Sequence, residues 1–154
     1  MRKQLFKSIY NRLNNNSKSI LLAGDISIYG LKDCFEKWPD RSLNTSCTEL
    51  ASVGFAAGLA LAGFRPIWHS IDTFAVERSL EVIKNLAHQD LTCDIITVGS
   101  TIDYMSLGCT HHGILSLASM LAMPNVNIYE PGSTLELEIL FEKSHKGKAI
   151  FITT

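Results

Sequence analysis

Short, mostly apolar runs recur along the chain, and each is followed by a segment with helical periodicity. Runs of this length are typical of parallel strands covered on both faces. The predicted strands are residues 20–23, 42–44, 65–71, 93–98, 126–129 and 149–152. The predicted helices are residues 5–13, 31–37, 50–63, 73–89, 114–121 and 134–145. This alternation predicts a doubly wound α/β fold, with a mostly parallel sheet and helices on both faces.

Length and charge limit the possible function classes. A chain of 154 residues predicts a single domain, residues 1–154, that can bury a proper core. The net charge of -1 argues against a nucleic-acid or anionic-membrane partner held by bulk charge. The longest apolar run, residues 53–64, is well short of the ~20 residues that cross a bilayer. We therefore expect no nucleic-acid partner and no membrane partner.

Cysteine spacing and the N-terminal pattern bear on compartment and metal binding. The four cysteines are widely spaced, with no C-x-x-C pair and no paired histidine cluster. Reduced thiols are then the simpler interpretation, and we expect no metal site in this chain. Charges scattered through residues 1–13 predict an amphipathic helix rather than a signal peptide, so we expect a cytoplasmic protein.

Glu49 stands at the start of an uncharged, glycine-notched segment, residues 50–64. Gly54, Gly58 and Ala62 lie four residues apart, which on a helix gives one smooth face for another backbone or a flat ligand. Ser46 and Glu49 also match the S-x-x-E capping box, in which the glutamate only satisfies a free amide of the first helical turn. From these residues alone, a cap and a functional carboxyl group both remain open.

The other polar clusters follow predicted strands as well. In an open α/β sheet, ligands bind at the carboxyl ends of the strands. Glu49, the turn at residues 72–74 and an aperiodic loop, residues 99–113, would all lie at that edge. Taken singly, Asp72 is a candidate helix cap, Phe74 a candidate core residue and His111 a solvated loop residue.

Taken together, these segments resemble the pyrimidine-binding domain of transketolase-type thiamine diphosphate enzymes over nearly the whole chain. The order and spacing of several short motifs carry the resemblance. They are residues 39–41 with Asn44, Glu49 with residues 54–60, Thr73-Phe74 with Arg78, residues 108–113, and residues 123–125. The resemblance is strongest to the second subunit of a two-subunit transketolase. The beta subunit of 2-oxo acid dehydrogenases is the alternative relative, and Thr110-His111-His112 favours transketolase.

The resemblance implies a role for individual residues. Glu49 would bond ring nitrogen N1′ of the aminopyrimidine and promote deprotonation of the thiazolium ring. Phe74 would stack on the aminopyrimidine, with Ile71 and Arg78 also in the cofactor pocket. His111 would act on the substrate beside the thiazolium, so the expected catalytic residues are Glu49 and His111. The expected substrate-binding residues are Thr110, His111 and Glu130.

Departures from the family pattern modify these expectations. Glu130 lies where some transketolases hold a sugar phosphate with an arginine, and a carboxylate there repels phosphate. The Gly-Asp-Gly motif with a following asparagine, which holds the metal and diphosphate, is not in the sequence. The resemblance therefore implies thiamine diphosphate in a shared site, with Mg²⁺ bound by a partner chain.

The expected function is two-carbon ketol transfer from a sugar substrate by a transketolase-like subunit joined to a diphosphate-binding partner. We expect a homodimer or a heterotetramer. The alternative, favoured by Leu50, Ile71 and Glu130, is a non-catalytic interaction or regulatory subunit with the same fold.

Overall fold

The computed structural model describes residues 1–143 and 149–154. Six strands form one sheet: β1 (Ser19–Ala23), β2 (Ser42–Asn44), β3 (Arg65–Ile71), β4 (Asp94–Val98), β5 (Val126–Tyr129) and β6 (Ala149–Thr153). The α-helices are α1 (Arg2–Asn15), α2 (Lys32–Lys37), α3 (Glu49–Leu61), α4 (Asp72–Val76), α5 (Leu80–His88), α6 (Ser116–Leu121) and α7 (Thr134–Lys143). In the described part of the chain, no helix is both long enough and apolar enough to cross a membrane.

The sheet is entirely parallel, with the strand order β2-β1-β3-β4-β6-β5. Because all strands run the same way, their carboxyl ends meet at one edge. The segments that follow β2, β3 and β4 all start at that edge, with β1 between β2 and β3, and they carry Glu49, Phe74 and His111. The α/β fold predicted from the sequence is confirmed.

Alternating strand residues divide the interior into two cores, one on each face of the sheet. The α1-side core combines strand residues with α1, α2 and α7; its members include Leu5, Ile9, Leu21, Cys34, Ile67, Ile96, Phe141 and Ile152. The α3-side core combines the intervening strand residues with α3, α4, α5 and α6; its members include Leu22, Val53, Trp68, Val76, Ile83, Ile95, Met120 and Phe151. Burial on both faces explains why the strands read as continuous apolar runs.

Two predicted elements differ from those observed. The predicted helix over residues 73–89 is divided into α4, a 3-10 turn (Glu77–Ser79) and α5. At the junction the backbone of Ser79 leaves the helical region, with φ -115° and ψ 12°. The aperiodic loop, residues 99–113, contains two single-turn 3-10 helices, Met105–Leu107 and Cys109–His111. The predicted end of the last helix, His145, lies outside the described residues.

One face of α3 is exposed to solvent. Leu50, Phe55 and Leu61 are 54, 49 and 67% exposed. A Cβ atom added at Gly54 or Gly58 would meet nothing within 4 Å. The opposite face, with Val53 and Ala56, is fully buried against β3 and α5. The smooth face predicted from the glycine spacing therefore has no covering element among the described residues.

Candidate active site

Glu49 is the first residue of α3, directly past the carboxyl end of β2. Its side chain is almost fully buried, and Oε1 accepts a hydrogen bond from Arg78 Nη1 at 3.1 Å. The capping-box interpretation is wrong, because the helix has no side-chain cap and Ser46 has a left-handed backbone with φ 55°. The glutamate thus directs its carboxylate toward the 3-10 turn that follows α4 instead of toward its own helix.

Phe74, on α4, contacts both Arg78 and His111. The guanidinium of Arg78 lies over the face of its ring, 4.0 Å from the centroid. The imidazole of His111 meets the same ring edge-on, with the centroids 5.0 Å apart. Arg78 therefore joins the buried carboxylate of Glu49 to the aromatic ring, and His111 completes the cluster.

The cluster borders an open cleft of about 350 Å³. Its lining residues are Thr73, Phe74, Glu77, Arg78, Cys109 and Thr110. A second pocket, of about 280 Å³, lies between α1 and α2 and is lined by Phe6, Lys7, Tyr10, Gly30, Asp33 and Cys34. That pocket contains none of the residues that the sequence assigned to a site. Phe74, Arg78 and Thr110 therefore line the cleft, and Glu49 and His111 adjoin it through their contacts with Arg78 and Phe74.

The loop of residues 99–113, which we call the histidine loop, lines the cleft with Cys109 and Thr110 and brings His111 against Phe74. An antiparallel bridge between Thr101 and Gly113 closes it, with the Gly113 amide donating to the Thr101 carbonyl at 2.8 Å. Gly108 has φ 93°, a conformation that suits glycine. Thr110 Oγ1 lies 3.1 Å from His111 Nδ1, which orients the imidazole. The loop is a closed unit with its histidine held on one side.

Two predicted site residues lie elsewhere. Ile71 is half-buried and packs against the α1-side core, and it does not line the cleft. Glu130 is exposed after β5, and β6 separates that strand from β4. The described contacts thus join Glu49, Phe74, Arg78, Thr110 and His111. Ile71 packs on the α1 side, and Glu130 lies at the same edge of the sheet, after a strand two places away from β4.

Two carboxyl groups at the cleft were missed by the sequence interpretation. Asp72 is not a cap: its Oδ1 accepts a hydrogen bond from Thr97 Oγ1 on β4 at 2.8 Å. Burial raises the pKa of Asp72, and the Thr97 hydroxyl opposes that rise. Glu77 Oε1 accepts from the Leu115 amide at 3.1 Å. In the sequence, the polar pair Asp72-Thr73 directly after a buried strand was a signal for Asp72, whereas no sequence pattern marked Glu77.

The geometry fits a flat, hydrogen-bonding group. The buried carboxylate of Glu49 accepts a hydrogen bond from Arg78, and the ring face of Phe74 contacts the planar guanidinium of the same residue. The guanidinium of Arg78 already satisfies both partners, so a planar nitrogen-containing ring can make the same two kinds of contact. His111 adds a group that can donate or accept a proton at the mouth of the cleft.

Comparison with known proteins identifies the family of the chain. Residues 14–154 match the family model described as transketolase, pyrimidine binding domain. An uncharacterized 33.6 kDa protein of the fasciation locus of Rhodococcoides fascians is 30% identical over 136 residues, covering 88% of this chain and 44% of that protein. A 1-deoxy-D-xylulose-5-phosphate synthase of Treponema pallidum is 36% identical over 104 residues, covering 68% of this chain and 16% of the synthase. The chain thus spans less than half the length of these curated relatives.

Solved structures show the same fold. A split-gene transketolase, solved as an inactive beta4 tetramer, superimposes with a TM-score of 0.85 at 24% identity, covering 99% of this chain and 50% of that one. Transketolase from Campylobacter jejuni gives a TM-score of 0.89 at 16% identity, covering 99% of this chain and 25% of that one. The family match, the parallel sheet and the cluster at its carboxyl edge lead to one conclusion. This chain belongs to the transketolase pyrimidine-binding domain family.

Proposed function

We propose that this chain supplies the aminopyrimidine half of a thiamine diphosphate site in a transketolase-like enzyme that transfers a two-carbon ketol unit. One observation carries the proposal: the buried carboxylate of Glu49 and the face of Phe74 share a single planar, N–H-donating group, the guanidinium of Arg78. An aminopyrimidine ring is also planar and also hydrogen-bonds through nitrogen. Such a ring would therefore hydrogen-bond Glu49 and stack on Phe74, which already lie in suitable positions.

In this proposal each residue has a distinct task. Glu49 hydrogen-bonds the aminopyrimidine nitrogen, in a position where burial excludes water. Phe74 supports the ring, and Arg78 leaves the face of Phe74 to admit it. His111, oriented by Thr110, exchanges protons with substrate hydroxyls at the mouth of the cleft. The bound cofactor supplies the carbon nucleophile, which no side chain here can provide.

A partner chain is part of the proposal. The sequence has no Gly-Asp-Gly motif with a following asparagine, so the diphosphate and its Mg²⁺ would be held by another subunit. The exposed face of α3 offers that subunit an uncharged surface beside Glu49. The split-gene transketolase whose fold this chain shares supports a divided architecture.

The central test is Glu49→Gln in the chain reconstituted with a Gly-Asp-Gly subunit, magnesium and thiamine diphosphate. We expect activity to fall by about 10²–10⁴, because an amide cannot share a proton with the ring nitrogen in the same way. The assay follows ketol transfer from a panel of ketoses. It also follows formation of 1-deoxy-D-xylulose-5-phosphate, the product in the names of several relatives.

Matched measurements make this test decisive. Glu36→Gln, an exposed glutamate on α2, should leave the rate unchanged. Urea unfolding should show that Glu49→Gln keeps the fold. Equal rates for the parent and Glu49→Gln would overturn the catalytic role. A parent complex without turnover on any donor would favour the non-catalytic alternative, and tight magnesium-dependent cofactor binding by the isolated chain would contradict the shared site.

Glu130 leads to a proposal about the substrate. Its exposed carboxylate lies at the same edge of the sheet as the cleft and would repel a sugar phosphate. Unphosphorylated sugars should therefore be used at least as well as phosphosugars. Glu130→Arg should lower the KM of a phosphorylated ketose, while Glu138→Arg on α7 serves as the charge-matched control. A strong phosphosugar preference that Glu130→Arg leaves unchanged would refute this proposal.

A further inference from the structure

The histidine loop is attached at its base to one buried carboxyl group. Asp72 is only 2% exposed, and its Oδ1 accepts from Thr97 Oγ1 at 2.8 Å, two residues before the loop begins. Its Oδ2 fills the space where a side chain at Gly113 would start, at the other end of the loop. One carboxyl group therefore touches the strand that enters the loop and the residue that closes it.

A second carboxyl group holds the segment that leaves the loop. Glu77 Oε1 accepts from the Leu115 amide at 3.1 Å and lies 3.4 Å from Ser116 Oγ. The Gly113 amide is bonded to the Thr101 carbonyl, so the two ends of the loop are also joined to each other. The chain on each side of the loop is consequently held by a carboxyl group, one from Asp72 in α4 and one from Glu77 in the 3-10 turn after it.

The same short segment supplies the contact surface for the histidine. Phe74 lies two residues after Asp72, and its ring meets the imidazole of His111 edge-on. The base of the loop thus contacts Asp72 and its histidine contacts Phe74, and these two residues lie two positions apart on α4. Any movement of the base relative to Asp72 changes the position of His111 relative to Phe74.

We propose that Asp72 is a positioning residue, whose buried carboxyl group fixes the base of the histidine loop and thereby places His111 against Phe74. Only the catalytic meaning of that placement rests on the proposed function. Gly113 is the required counterpart, because a Cβ there would collide with the Asp72 carboxyl oxygen. Thr97 supplies the 2.8 Å hydrogen bond that helps to orient the carboxyl group, together with the Ser116 hydroxyl.

The test uses the isolated full chain and NMR signals of His111, assigned with His111→Gln. The Phe74 ring shifts these imidazole signals, and Phe74→Leu gives the value without the ring. In Asp72→Asn, we expect the His111 signals to move most of the way to that value. We also expect Gly113 amide exchange to accelerate about tenfold, because weakening the Asp72–Thr97 hydrogen bond loosens the base of the loop, where the Gly113 amide bonds to the Thr101 carbonyl. Asp103→Asn, an exposed aspartate in the same loop, should behave like the parent.

The outcomes separate positioning from a general structural role. If Asp72→Asn lowers the free energy of unfolding but leaves the His111 signals in place, the inference is wrong. If that variant does not fold, Thr97→Val removes the same hydrogen bond from the other partner, and it must produce the same direction of change. Unchanged His111 signals in folded Thr97→Val would likewise overturn the inference. Because no cofactor or partner takes part, this test can fail while the proposed function stands, and the reverse is also true.

Discussion

The buried carboxylates at the two edges of the sheet differ in how exposed their partner arginines are. At the amino edge, Asp94 is fully buried between Arg12 Nη1 at 2.7 Å and Arg65 Nη2 at 3.1 Å. At the carboxyl edge, Glu49 is also buried, but its one side-chain partner among the described residues is Arg78, which is 50% exposed. The amino edge encloses its charges on all sides, whereas the carboxyl edge leaves one side open. The enclosed ion pairs of Asp94 stabilise the fold, whereas a ligand can replace the half-exposed Arg78 as the partner of Glu49.

The largest expected effect comes from breaking the enclosed cluster. Asp94→Asn should lower the free energy of unfolding by about 3–5 kcal/mol, because the nearby guanidinium groups lose their buried counter-charge. The urea midpoint of the isolated chain, with an unchanged m-value, measures this. The exposed pair Lys32–Glu36 provides the control, since Glu36→Gln should cost about 0.5 kcal/mol or less. Equal costs for the two variants would remove the distinction between the edges.

A smaller effect concerns His69, which is fully enclosed although it lies near the carboxyl edge. Its Nδ1 lies 2.9 Å from the Ile96 carbonyl and Nε2 lies 3.0 Å from Ser27 Oγ. Burial lowers its pKa from 6.5 to about 4. The folded state then binds a proton less readily than the unfolded state. Stability from this residue is fully present above about pH 6.5 and is lost as the pH falls toward 4.

The loss over that range should be roughly 3 kcal/mol. Unfolding free energies of the parent and His69→Gln, measured from pH 7 to pH 4, check it. The difference between the two isolates His69 from the buried carboxyl groups, whose raised pKa values act in the opposite direction. Parallel pH profiles for parent and variant would mean that the enclosed histidine does not resist protonation.

The smallest effect is expected at the half-open pair. Arg78→Ala should change the free energy of unfolding by about 0.2–1 kcal/mol, because solvent screens a guanidinium that is half exposed. Salt at 1 M should remove most of this difference. The same urea titrations measure it beside Asp94→Asn. A cost for Arg78→Ala as large as that of Asp94→Asn would show that Arg78 is a fixed part of the fold and cannot readily give way.

The sequence predicted local features well and long-range contacts poorly. The third strand was predicted at residues 65–71 and is observed at Arg65–Ile71, because an apolar run between turn residues is a local signal. The pair Glu49–Arg78 joins residues 29 positions apart, and only the family resemblance suggested that both belong to one site. The division of the predicted helix at Glu77–Ser79 could not be foreseen, since that segment has ordinary helical composition.

The position of β6 in the sheet has a consequence for how the chain folds. The last strand in sequence lies between β4 and β5, so β5 has no partner in the sheet until β6 is inserted. Strands β1 to β4 can pair as they emerge during synthesis, but β5 has no neighbouring strand to pair with until β6 has been synthesised. Insertion of β6 also requires it to pair with β4, where Asp94 lies opposite Ile150, and pairing between segments so far apart in sequence is slow compared with local structure formation. The late-completing half of the sheet is therefore where molecular chaperones and proteases have the longest opportunity to act on this protein.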